Sequence, residues 1–184
     1  MPLTDSEIAA QLAPAGLLFI RRVEGEVRQP HLPPGRSPSS ARPEDGRFDS
    51  RPDEIPDVND PDMPVKVNAS WLRMASEFGL FNKDREFLLL VNYADEEDEW
   101  EDHSGWVQVR LLDEWDLAAS GVEQLRSWIA GTFTPRFVPE FRMVSLDGQT
   151  VIETTVWGNG TVSTIAIRPS ATAPARGTEE TARG

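Results

Sequence analysis

Residues 17–23 and 105–112 read as strands, and from 106 to 112 apolar and polar positions alternate with the period of a strand half-buried in a sheet. In the first run Leu18 and Ile20 alternate with Phe19 and Arg21. In the second, Val107, Val109 and Leu111 face inward and Gln108 and Arg110 outward. Between them, residues 86–93 carry Phe87, Leu88, Leu89, Leu90 and Val91, apolar on both faces, which predicts a central strand. Trp71, Met74, Ala75 and Phe78 recur at helical spacing and predict a helix over 68–78, ended by Gly79.

Local signals place the remaining elements. Thr4-Asp5-Ser6-Glu7 is a capping box, so a short helix starts there and ends at Pro14 and Gly16. Ser120-Gly121-Val122-Glu123 reads as a second box. It predicts a helix with Val122, Leu125, Trp128 and Ile129 on one buried face, stopping at Gly131. Asp147-Gly148 and Asn159-Gly160 supply tight hairpin turns between strands at 137–146, 150–157 and 161–167. Pro135 and Pro139 predict an irregular start or an edge position for the first of these. The expected fold is α+β, a mostly antiparallel sheet of five to six strands with two to three short helices packed on it.

Two stretches lack such patterning. Residues 25–64 hold most of the prolines and are expected to form a disordered or extended insertion. Residues 170–184 are expected to be a disordered tail. The single domain is then residues 1–24 joined to 65–169.

Charge changes the picture most. Lys and Arg number 18 against 31 Asp and Glu, a net charge of −13. That sign excludes direct, sequence-independent nucleic-acid binding and disfavours docking on anionic lipid. The apolar run at 17–20 is too short to span a membrane. The chain has no cysteine, which excludes disulfides and thiolate chemistry and suits a reducing cytoplasm. Arg far outnumbers the two Lys, Lys66 and Lys83, which points to a GC-rich bacterial genome or its phage.

The acid is concentrated. Asp95, Glu96, Glu97, Asp98, Glu99, Glu101 and Asp102 surround Trp100 on the hairpin loop between the strands at 86–93 and 105–112. Such crowding needs water, a cation or a basic partner to screen it. Asp113, Glu114 and Asp116 surround Trp115 in the same manner. Taken together, the two acid-flanked tryptophans read as partner-binding anchors within rings of charge. Trp71 and Trp128 are expected in the core, and Trp106 and Trp157 on the sheet face opposite Val107 and Val156.

Other chemistry is sparse. Asp95, Glu97, Glu99 and His103 offer oxygens and an imidazole, but Trp100 stands where a calcium loop needs glycine, and no metal site is expected. Residues 57–64, Asp-Val-Asn-Asp-Pro-Asp-Met-Pro, resemble the calcium linker of cadherins at a few positions, and the match is taken as chance composition. No nucleophile elbow, glycine-rich phosphate loop or His-Glu-x-x-His occurs, so no catalytic residue and no cofactor are assigned.

The expected function is therefore a non-catalytic acidic binding module for a basic protein partner. The build is similar in a general way to bacterial immunity proteins, which implies an inhibitor of a basic target. An alternative is a structural subunit of a virion or secretion particle, with the proline-rich arm lying on a neighbour. A carboxylate-based hydrolase is a weaker third reading.

Overall fold

The computed structural model describes residues 2–30, 54–94 and 103–168. Six antiparallel strands form one sheet in the order β1-β3-β2-β4-β5-β6. They are β1 (Leu17–Val23), β2 (Glu86–Asn92), β3 (Ser104–Leu111), β4 (Phe141–Val144), β5 (Val151–Val156) and β6 (Val162–Ile167). Two helices, α1 (Asp5–Leu12) and α2 (Met63–Glu77), complete the α+β architecture. Among the described residues no helix is long and apolar enough to cross a membrane.

Both helices pack on one face of the sheet. The core there joins Ile8 and Leu12 of α1 and Trp71 and Met74 of α2 to Phe87, Val109 and Met143 of the sheet. Thr4 caps α1 reciprocally with Glu7, and Gly16 at φ 75° turns the chain into β1. The sequence boundaries hold here because a cap and a left-handed glycine are local features. Gly148 and Gly160, both at positive φ, close the β4–β5 and β5–β6 connections.

On the opposite face Trp106 packs with Leu88, Val144, Val151 and Ile165, beside Val23 and Val27. Trp157 lies on this face too and is half-buried, its indole N–H donating to Ser163 Oγ at 2.7 Å.

Four expectations change. Helix α2 starts at Met63, five residues before the apolar stripe suggested. Pro64 sits in its first turn, where the missing N–H costs nothing. Residues 54–64, expected within a loose insertion, belong to the fold. Val58 is buried, Asp57 bridges Thr161, and Asp57 and Asp60 side chains accept from the N–H groups of Asn59 and Asp62. The other end of that stretch is also placed. Arg28 approaches Gly148 so closely that a Cβ there would meet its carbonyl oxygen at 2.5 Å. The central part, 31–53, lies outside the described residues, as does the tail from 169.

The helix expected over 122–131 does not form. Two 3-10 turns, Glu123–Leu125 and Ile129–Thr132, stand in its place. Extended pairing wins between them. Ser127 N–H donates to Val138 O and Glu140 N–H to Leu125 O, both at 2.8 Å, and Arg126 bridges Pro139. Ser120 accepts from Val122 N–H, a local turn rather than a helix cap. Strand β4 begins only at Phe141, after Pro139 has interrupted the ladder, and it lies inside the sheet.

Candidate protein-binding surface

The acidic stretch, Asp95 to Asp102 with Trp100, lies outside the described residues, but both ends of its hairpin are placed. Asn92 pairs with Ser104, and Tyr93 N–H donates to His103 O at 3.0 Å. The Tyr93 ring lies across Gly105, where a Cβ would stand 2.2 Å from it, and its hydroxyl donates to Trp106 O. Arg22 stacks on that ring at 4.3 Å. Gln124 clamps the hairpin from the neighbouring loop, accepting from Asn92 N–H at 2.9 Å and donating to Asn92 O at 3.0 Å.

The second acid-flanked tryptophan is elsewhere. Asp113–Asp116 follows the far end of β3, so eight residues of strand separate it from the hairpin base, about 25 Å. The base of the acidic hairpin and the 113–116 loop lie at opposite ends of β3. Trp115 is half-buried, with its ring 5.2 Å from Trp71. Asp116 accepts from Asn68 Nδ2 and Ala119 N–H, and Asp113 pairs with Arg85 at 3.1 Å. Glu114 remains exposed. Asp116 fastens the loop to α2, and Trp115 extends the core.

Sequence reasoning missed the most exposed aromatic of the described chain. Trp128, expected in the core, is 80 % exposed, and its neighbours Ile129 and Phe133 are 51 % and 38 % exposed. The loop beneath them is anchored. Leu125, Ser127 and Ala130 are buried. Glu140 Oε2 accepts from Ser127 Oγ at 3.0 Å and from Val156 N–H at 3.1 Å, joining this loop to the end of β5. Ser127 Oγ in turn accepts from Ala130 N–H. Ala130 and Val138 enter a second small core with Val58, Met63, Val156 and Val162. Arg136 donates to Asn59 O and Asp60 O, tying this loop to the segment before α2. The signal that points away from a helix is in the sequence: Gly131, Pro135 and Pro139 follow Trp128 within eleven residues.

Comparison with protein-family models, with curated proteins and with solved structures finds no match for this chain. The site is therefore read from its own chemistry. Among the described residues no group of His, Asp and Glu is arranged to hold a metal ion. An open depression of about 360 Å³ is lined by Ile55, Trp157, Gly158, Asn159, Thr161 and Ser163, with no titratable side chain. On the same sheet face Arg142 and Glu153 pair at 3.6 Å, too long for a hydrogen bond. Burial pushes the Glu153 carboxyl above its ordinary range, and Arg142 pulls it back. Among the described residues Arg142 Nε is buried without a hydrogen-bond partner. A pair satisfied so incompletely is a cost of the fold.

Acidic residues lie on the segment that Arg136 ties to this loop. Asp60 lies below the usual carboxylate range, chiefly through its bond from Lys66 at 2.8 Å. Glu54, Asp57 and Asp62 on the same segment are exposed. The anchored loop thus carries three exposed apolar side chains and is tied to a segment with three exposed carboxylates.

Proposed function

We propose that this protein is a non-catalytic binding module that engages a basic partner surface through the acidic hairpin. The supporting observation is the fixed base of that hairpin. Tyr93, Gln124 and the β2–β3 ladder hold both of its ends, so seven carboxylates within 95–102 are attached at one defined place. A charge cluster on a rigid root steers a cationic partner, raising the rate of encounter and setting its orientation. Inhibition of a basic target in a reducing cytoplasm, in the manner of an immunity protein, fits this chemistry.

The test replaces Glu96, Glu97, Glu99 and Glu101 with Gln and measures binding of a synthetic arginine-rich peptide across ionic strength. The wild-type protein should bind at low salt and release the peptide as salt rises. The variant should bind about tenfold more weakly and with a flatter salt dependence. Equal affinity and equal slope for the two proteins overturn the reading.

A further inference from the structure

We propose that Trp128 is the apolar anchor of an interaction surface whose occupant is a basic protein carrying an apolar pocket; this rests on the reading of a basic partner above.

Three observations converge on the anchor. An indole left 80 % exposed gains nothing from the fold, yet the backbone that carries it is fastened on both sides. Ser127 and Ala130 flank it in the buried layer, and Glu140 locks Ser127. A large aromatic on a pre-ordered turn loses little entropy when a partner covers it, the property that makes tryptophan a frequent hot spot. Ile129 and Phe133 extend the apolar area, and a Cβ on Gly160 would stand 3.3 Å from the Phe133 ring.

Charge selects the occupant. The segment fastened to this loop by Arg136 carries Glu54, Asp57 and Asp62 exposed, while Lys66 is paired with Asp60 and Arg126 with Glu123. Arg136 donates to two neutral backbone carbonyls and keeps its charge, which the three exposed carboxylates outnumber. A basic rim around an apolar pocket therefore matches the patch. A second copy of this chain does not, because pairing would set acidic segments together on molecules of net charge −13.

Two synthetic arginine-rich peptides test this, one with a central Leu-Phe-Leu and a twin with Ser-Gly-Ser there. Wild-type protein should bind the apolar-centred peptide on the order of thirtyfold more tightly than its twin. Trp128→Ala should erase that preference while keeping the twin's affinity, its salt dependence and the urea midpoint, since the side chain supports nothing in the fold. If both peptides bind the wild type equally, the anchor falls and the function reading stands. If neither binds at low salt, both fall. A concentration-dependent dimer in sedimentation, lost in Trp128→Ala, assigns the patch to self-association and overturns the proposal.

Discussion

Replacing Trp71 with Ala should cost about 3–5 kcal/mol of stability, the largest loss expected from a single side chain here. Trp71 is fully buried on α2. Its ring meets Trp115 at 5.2 Å, Phe81 at 5.7 Å, Phe87 at 6.1 Å and Phe141 at 6.5 Å, three of them edge-on. Its indole N–H points at Met143 Sδ, 3.1 Å away. Truncation leaves a cavity that a helix and a sheet cannot both collapse into, and it strips the edge-to-face contacts as well. Against a total stability on the order of 5–15 kcal/mol the loss is severe. The melting temperature should fall by roughly 10 °C. Urea unfolding followed by circular dichroism measures it, and a change below about 1 kcal/mol would show that this cluster is not the centre of the core.

Gly16→Ala comes second, through backbone rather than side chain. Gly16 has φ 75° at the turn from α1 into β1. A Cβ there would stand 2.3 Å from Glu114 O and 2.6 Å from Trp115 Cα. Neither atom can swing away, because Leu112 N–H donates to Gly16 O and Asp116 N–H to Ala15 O across the same junction. The left-handed backbone costs about 1–2 kcal/mol and the clash a further 1–3 kcal/mol. Displacing Trp115 should also change the near-ultraviolet circular dichroism, since its ring abuts Trp71. Gly121→Ala is the control. Its φ is 69°, but a Cβ there meets nothing within 4 Å, so only the backbone penalty applies. Equal losses in the two variants would show that the contact with the 113–116 loop is loose.

Elements decided by near neighbours were legible in the sequence, and those decided by distant contacts were not. Strand β1, the cap of α1 and the alternation in β3 were legible because each is decided by near neighbours. The start of α2 was not, because Pro64 reads as a breaker and is tolerated only in a first turn. The loop at 123–132 has helical spacing, yet long-range pairing of residues 125–127 with 138–140 overrides it. That override moves Trp128 from the expected core to the surface. Trp115 moved the other way, since acid on both sides says nothing about where the ring goes. The separation of the two acidic loops was available from the start. A strand of seven or eight residues between them cannot put both at one end of a sheet.

Trp128 is an exposed indole on an anchored turn, and that turn is tied to a segment carrying three exposed carboxylates. Quenching of indole fluorescence by caesium and by iodide reads both properties without any partner. The difference between wild-type protein and Trp128→Phe isolates the emission of Trp128 from the other five tryptophans. The account predicts that this component is readily quenched, more strongly by caesium than by iodide, with the preference fading as sodium chloride is added. Quenching by iodide equal to or stronger than that by caesium would contradict it.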